Sequence, residues 1–142
     1  MSDKLNFHTL KGYELQENKI ITYAMEDYLE MICRVCKTKG YVRINELANK
    51  LNVKASSVSK MVTQLKACGL VSFEKYGYIE PTQKGIELGN YLIYRHKVLH
   101  DFLCLVNESE NELEQVEKIE HYMNKQTIEN IENLYNKIIE KT

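Results

Sequence analysis

Two short helical runs, an abrupt break between them and a hairpin pattern follow one another over residues 44–80. Apolar residues recur at helical spacing over 44–51 and over about 55–68, and Asn52-Val53 forms the break. Short runs rich in β-branched or aromatic residues then flank the connection 74–77, as expected of a hairpin. The order helix, turn, helix, hairpin predicts a winged helix-turn-helix, which constrains how this half of the chain can fold.

Helical periodicity also dominates the rest of the chain. A first amphipathic helix is predicted over 22–37, and after the hairpin a long helix over 82–105 precedes two more over about 110–124 and 127–140. We therefore expect a mainly α protein, with an N-terminal winged helix-turn-helix of three helices and a two-stranded wing, followed by an all-helical domain. The expected divisions are an arm over 1–21, the winged-helix domain over 22–81 and the helical domain over 82–142.

The composition is typical of a globular protein. The 142 residues are 44% hydrophobic, which is enough to build a core. No stretch approaches the roughly 18 consecutive apolar residues of a membrane span, and residues 1–10 lack the apolar run of a secretory signal. We expect a cytoplasmic protein with no membrane partner.

Four cysteines occur in the chain: Cys33, Cys36, Cys68 and Cys104. Cytosolic thiols normally stay reduced, so we expect no disulfides. Cys33 and Cys36 form a C-x-x-C, which would favour zinc or redox chemistry if a second pair or a thioredoxin-like βαβ pattern accompanied it. Because both also continue the apolar stripe of the first helix, packing as small hydrophobes is the preferred interpretation.

The net charge of −1 hides an uneven distribution along the chain. Residues 41–76 contain six lysines or arginines and two acidic residues. Residues 107–142 contain four lysines or arginines and nine acidic residues. A cluster of like charges favours partners of the opposite sign. The middle of the chain therefore suits contact with phosphates, and the C-terminal part suits cations.

The second helix of the pair has an apolar face, and its opposite face carries hydroxyls, an amide and a lysine. Such groups can bond phosphates and base edges when this helix enters the major groove. Any solvated helix face can look similar, so the order of the elements is what favours DNA binding. The predicted contacts are Lys54, Ser56, Ser57, Ser59, Lys60, Thr63 and Gln64, together with Lys75 and Tyr76 at the hairpin tip.

Carboxylates and imidazoles occur at helical spacing in three separate segments. The six candidates are Asp27 and Glu30 on the first helix, His96 on the long helix, and Glu117, Glu120 and His121 on one face of the next predicted helix. Taken singly, each acid is more simply a solvated surface charge and His96 a core histidine. If the helices converge, this oxygen-rich set with a minority of imidazole suits Mn²⁺, Fe²⁺ or Mg²⁺.

Four segments together resemble one known family. They are MEDYLE at 25–30, ASSVSKMV at 55–62, YRH at 94–96 and VEKIEH at 116–121, and they resemble the diphtheria toxin repressor family, specifically its manganese transport regulator branch. The resemblance implies a homodimer that binds a palindromic operator in double-stranded DNA when Mn²⁺, two ions per subunit, occupies the six candidate ligands. It also implies a regulator, not an enzyme, that represses manganese uptake genes, with Fe²⁺, Co²⁺, Cd²⁺ or Zn²⁺ as alternative occupants.

Individual positions refine this resemblance. Iron-sensing relatives carry Met where Asp27 stands and Cys where Glu117 stands, so these two residues indicate the manganese branch. Tyr23-Ala24 replaces the Pro-Ser common at the start of the first helix, which leaves Thr22 as the expected N-cap. His100 stands where relatives usually have an acid, which suggests an extra ligand or an altered selectivity.

Two other functions are compatible with parts of the sequence. A winged-helix regulator that answers to a small organic ligand would bind DNA whether or not metal is present. A carboxylate-bridged metalloenzyme in a helix bundle typically carries two Glu-x-x-His motifs, and this chain has none.

Overall fold

Helices make up most of the chain, and short strands flank the helix pair. A computed structural model describes residues 21–74 and 77–142, so the arm up to residue 20 and the hairpin residues Lys75 and Tyr76 lie outside the described residues. The elements are α1 (Tyr23–Lys39), β1 (Val42–Arg43), α2 (Ile44–Leu51), α3 (Ala55–Ala67), β2 (Val71–Phe73), β3 (Tyr78–Pro81), α4 (Gln83–Asn107), α5 (Leu113–Ile119), a 3-10 helix (Glu120–Tyr122) and α6 (Lys125–Glu140). The mainly α fold with an N-terminal winged helix is confirmed. Across these ranges, no helix combines the length and the hydropathy that a membrane span requires.

Helix α1 begins at the residue expected from its sequence and extends two residues past the predicted range. Thr22 is the N-cap, and its Oγ1 accepts a hydrogen bond from the Met25 backbone N–H at 3.2 Å. The helix ends at Gly40, where φ is 85°, a left-handed conformation that glycine adopts without strain. The buried face of α1 is formed by Met25, Leu29, Ile32, Cys33 and Val35.

The turn between α2 and α3 is closed by the backbone. Asn52 adopts the left-handed conformation, with φ of 55°, which its short polar side chain tolerates. The N–H of Val53 then donates to the carbonyl of Ala48 at 3.0 Å. Val58, Val62 and Leu65 of α3 are fully buried against the core, so the opposite side of α3 is directed to solvent.

The wing contains one more strand than the sequence predicts. The sheet has three antiparallel strands in the order β1-β3-β2, and Val42 of β1 lies opposite Ile79 of β3. A two-residue strand is too short to leave an alternating pattern in the sequence. Val42 is fully buried, and the pairing ties the wing to the start of α2.

Helix α4 is shared by two hydrophobic cores. The core of the winged helix includes Leu29, Val58, Ile79 and Leu92. The core of the helical part contains Val98, Leu99, Val116 and Ile128. The residues of α4 that lie between Leu92 and Val98 are therefore placed at the junction of the two parts.

Helices α1 and α4 are in close contact at Gly89. A Cβ atom on Gly89 would lie 2.2 Å from Sγ of Cys33, so any other residue there would force the Cys33 side chain to shift. Cys33 is 4% exposed, and burial raises the pKa of both Cys33 and Cys36 to about 11. Both residues therefore stay protonated thiols, and all four cysteines are free, which confirms that Cys33 packs as a core residue.

We expect Gly89→Ala to lower the free energy of unfolding by about 1–3 kcal/mol, the usual cost of forcing extra carbon into a packed core. Chemical denaturation in chelator measures this change. Asn90→Ala, at the neighbouring exposed position of α4, is the control and should change little. Combining Gly89→Ala with Cys33→Ala should recover part of the loss. If the destabilisation of the double variant equals the sum of the two single-variant values, the contact with Cys33 is not the cause of the loss in Gly89→Ala.

Candidate metal centre and nucleic-acid interface

A cavity of about 320 Å³ lies where the winged helix meets the helical part of the chain. It is lined by acids, cations, one imidazole and two apolar side chains, namely Asp27, Glu30, Met31, Arg34, Lys50, Leu51, His96, Glu117 and Glu120. Five of the six predicted ligands thus line one space, and His121 is the exception. The tertiary structure brings together segments whose convergence the sequence spacing leaves open.

Glu30, His96 and Glu120 bring potential ligand atoms together from three elements. One ligand atom from each lies within 4.8 Å of the others, and His96 Nδ1 is 3.4 Å from Glu120 Oε2. Glu120 is only 2% exposed, and its Oε1 has no hydrogen-bond partner among the described residues. A buried carboxylate oxygen that accepts no hydrogen bond is costly, and a cation in this space would satisfy it. The residues therefore fit a metal bound through oxygen and nitrogen.

His121 lies beside this cluster instead of lining the cavity. Its Nε2 is 3.0 Å from Oδ1 of Asp27, and its Nδ1 is 2.8 Å from Oε1 of Glu26. The imidazole also stacks on Tyr23, with ring centroids 5.0 Å apart. These contacts tie the 3-10 helix to α1.

The predicted helix over 110–124, with its three ligands on one face, is wrong in detail. Helix α5 ends at Ile119, and the more tightly wound 3-10 helix carries Glu120 and His121. The chain must leave the helical path because Asn124 caps α6, with its Oδ1 accepting from the Thr127 N–H at 2.8 Å. As a result Glu120 and His121 are both buried, at 2% and 8% exposure, whereas Glu117 lines the cavity while remaining exposed.

Arg95 and Glu26 belong to the site, although the sequence analysis does not single them out. Arg95 is 3% exposed, and its Nη2 lies 3.5 Å from Glu26 Oε1 and 3.8 Å from Glu120 Oε1. A buried arginine between carboxylates compensates their charge. The sequence does carry a signal for it, since Arg95 falls on the apolar stripe of α4 between Leu92 and Leu99, where a charged residue has to be buried and paired.

The crowding of acids shifts the pKa values of the site. Burial raises the pKa of Glu30, and the charge of Glu120 adds to this, while the hydrogen bond from Arg34 acts against it. The hydrogen bond to Glu120 raises the pKa of His96. Burial alone would lower the pKa of His121, but its hydrogen bonds to the two carboxylates of α1 raise it to about 9. Both imidazoles therefore hold protons more tightly than usual, which helps to balance the carboxylates.

The solvent face of α3 carries most of the predicted DNA contacts. Lys54, Ser56, Ser57, Lys60, Thr63 and Gln64 are exposed, and Ser59 is half-buried. The Thr63 hydroxyl donates to the backbone carbonyl of Ser59 at 2.8 Å, so its proton is used within the helix. The remaining predicted contacts, Lys75 and Tyr76, lie outside the described residues.

Two protein-family models match the chain in succession. The model described as the iron dependent repressor, N-terminal DNA binding domain, matches residues 21–79. The model described as the iron dependent repressor, metal binding and dimerisation domain, matches residues 82–141. Together the two matches cover the winged helix and the helical part.

Individual relatives point in the same direction. The HTH-type transcriptional regulator MntR of Oceanobacillus iheyensis is 39% identical over 116 residues, which are 81% of this chain and 79% of that relative. The regulator of the same description from Geobacillus kaustophilus is 40% identical over 114 residues, which are 80% of this chain and 81% of that relative. A solved structure of the manganese regulator SloR matches with a TM-score of 0.70 and 27% identity over 79% of this chain. The chain spans 53% of the length of that structure.

We expect Glu30→Gln to leave the protein as stable in chelator as the parent, or more stable, because burial disfavours the ionised carboxylate. The same variant should lose the stabilisation that saturating Mn²⁺ confers, about 2.7 kcal/mol at a metal concentration one hundred times the dissociation constant. Thermal unfolding with Mn²⁺ and with chelator measures both effects. Glu114→Gln, at an exposed carboxylate paired with Lys118, is the matched control. Full stabilisation by Mn²⁺ in Glu30→Gln would remove Glu30 from the ligand set.

Proposed function

This chain belongs to the iron dependent repressor family, and on that basis we propose that it is a manganese(II)-dependent DNA-binding transcriptional regulator that represses manganese uptake genes when Mn²⁺ is abundant. The observation that carries the proposal is the meeting of Glu30 from the winged helix with His96 and Glu120 from the helical part within 4.8 Å. A centre held by these residues would join the DNA-binding part to the dimerisation part. The relatives named MntR are transcriptional regulators, which removes the helix-bundle metalloenzyme as an alternative.

We propose that two Mn²⁺ ions per subunit are held by Asp27, Glu30, His96, Glu117, Glu120 and His121. None of the nine described residues that line the cavity is a cysteine, and a carboxylate-rich set suits Mn²⁺ or Fe²⁺ better than the thiolate sites of Zn²⁺ or Cu⁺. When bound, the metal supplies positive charge that neutralises these carboxylates. Fe²⁺, Co²⁺, Cd²⁺ and Zn²⁺ are competing occupants, and selection among them must come from the number and geometry of the bound ions, because Mn²⁺ binds most sites weakly.

Helix α1 connects the proposed ligands to the DNA-reading helix. Leu29, next to Glu30, belongs to the same core as Val58, Val62 and Leu65 of α3. Because such a core is close-packed and moves as a unit, fixing Glu30 against His96 also fixes the orientation of α3 relative to the helical part. In a homodimer this sets the distance between two copies of α3, which must match operator half-sites about 34–36 Å apart.

Exposed apolar residues on α6 support the homodimer. Leu134, Ile138 and Ile139 are 49%, 37% and 45% exposed, whereas Ile128 on the same helix is fully buried. An exposed apolar stripe of this kind is suited to a second copy of the chain. Since such a regulator acts on DNA, we propose a cytoplasmic homodimer, with the boundary between its two domains at residues 81 and 82.

We expect Mn²⁺ to tighten binding to DNA and rising salt to weaken it, because lysines on the DNA-facing surface displace counterions from phosphates. The measurement is the fluorescence anisotropy of a labelled duplex, selected from random DNA by the protein in Mn²⁺, with metal or with chelator. Lys60→Ala should weaken DNA binding and leave calorimetric Mn²⁺ binding unchanged, because Lys60 is exposed on α3 and does not line the cavity. Equal DNA affinity in Mn²⁺ and in chelator would instead favour a regulator that answers to an organic ligand.

We expect the double variant Asp27→Met, Glu117→Cys to lose its response to Mn²⁺ relative to Fe²⁺ or Co²⁺. Thioether and thiolate donors are softer than carboxylates and favour the later ions. Circular dichroism checks that the variant is folded, and DNA binding is then titrated with each metal. A folded double variant that answers to Mn²⁺ as well as the parent would show that these two residues do not set the choice of metal.

A further inference from the structure

Arg34 lines the same cavity as the proposed ligands and donates hydrogen bonds to one of them, Glu30. Its Nε and Nη2 both donate to Oε2 of Glu30, at 3.0 Å and 2.8 Å. The side chain of Arg34 is 41% exposed and that of Glu30 is 14% exposed, so the guanidinium reaches from solvent to a largely buried carboxylate. The cavity thus contains a cation that belongs to the protein itself.

The charges that line the cavity are only partly balanced. Asp27, Glu30, Glu117 and Glu120 contribute four carboxylates, whereas Arg34 and Lys50 contribute two basic side chains. Arg34 is bonded to a carboxylate of the cluster formed by Glu30, His96 and Glu120. Because a guanidinium stays charged at any physiological pH, Arg34 remains a cation beside Glu30 under all conditions in which the protein works.

We propose that Arg34 is an internal competitor for the metal, which raises the metal concentration at which the site fills. The inference rests on the proposed function and concerns the regulation of the same site. A divalent ion bound to Glu30 would meet the positive charge of Arg34 across a single carboxylate, and repulsion in a partly buried site is weakly screened by salt. Since the arginine side chain is long and half-exposed, it can move into solvent when Glu30 binds an ion.

Competition has a second consequence for the metal-free protein. There Arg34 provides the positive charge that a metal would otherwise bring to Glu30. Removing Arg34 should therefore destabilise the metal-free protein and tighten metal binding at the same time. A residue that merely orients Glu30, or merely supports the fold, would lower both the stability and the metal affinity when removed. The opposite signs distinguish competition from a structural role.

The test compares Arg34→Gln with Arg34→Lys and with Lys50→Gln, which removes a charge from the same cavity lining. The electron paramagnetic resonance signal of free Mn²⁺ gives the metal affinity, and thermal unfolding in chelator gives the stability. We expect Arg34→Gln to tighten Mn²⁺ binding about twofold to fivefold, the upper part of the range for ion pairs near the protein surface. It should also lower the unfolding temperature in chelator. Arg34→Lys should fall between Arg34→Gln and the parent, and Lys50→Gln should tighten binding less than Arg34→Gln.

Unchanged or weaker Mn²⁺ binding in Arg34→Gln overturns the inference. Equal tightening in Lys50→Gln also overturns it, because the effect would then belong to the total charge of the cavity and not to the bond with Glu30. If the parent protein itself shows no Mn²⁺ binding, the proposed function fails. If the parent binds Mn²⁺ and the Arg34→Gln variant does not bind it more tightly, only the inference about Arg34 fails, and the proposed function stands.

Discussion

Four carboxylates share a partly buried space between two hydrophobic cores, and their mutual repulsion has to be balanced for the two parts of the chain to pack together. The protein supplies several positive charges of its own for this purpose. Arg95 reaches Glu26 and Glu120 from the interior, and Arg34 reaches Glu30 from solvent. This balance leaves Glu120 Oε1 without a hydrogen-bond partner among the described residues. A buried carboxylate oxygen without a hydrogen bond gives the site a reason to bind a cation.

Helix α4 connects this charge balance to the packing of the two parts of the chain. One end of α4 packs in the core of the winged helix and the other in the core of the helical part, with His96 between them. The close approach of Gly89 to Cys33 fixes α1 against α4 near the same point. Any change in the charges around Glu30 and His96 therefore acts where the two parts meet, and the dense core carries it to α3.

The sequence predicts most elements well because their signals are local. Thr22 and Gly40 mark the ends of α1, and Asn52 marks the turn before α3. The two misjudged features have equally physical reasons. Strand β1 is held by the buried side chain of Val42 and by its pairing with β3, and two residues leave no period to detect. The break after Ile119 depends on the capped start of α6. The residue pattern over 110–124 shows no such break and is that of one continuous helix.

By itself, the sequence determined the winged helix, the polar face of α3 and a set of six candidate ligands of hard donor chemistry. Only the tertiary structure decided which of these ligands meet, because the contacts join residues far apart in the chain, as when Asp27 pairs with His121 across 94 positions. The same holds for the cations of the site. Arg34 reads as an ordinary helical residue until distance places it against Glu30. Arg95 stands out on its apolar stripe, but only the packing shows that Glu120 is one of its partners. Periodicity and capping are properties of neighbouring residues, whereas charge compensation in a buried space depends on how separate helices pack.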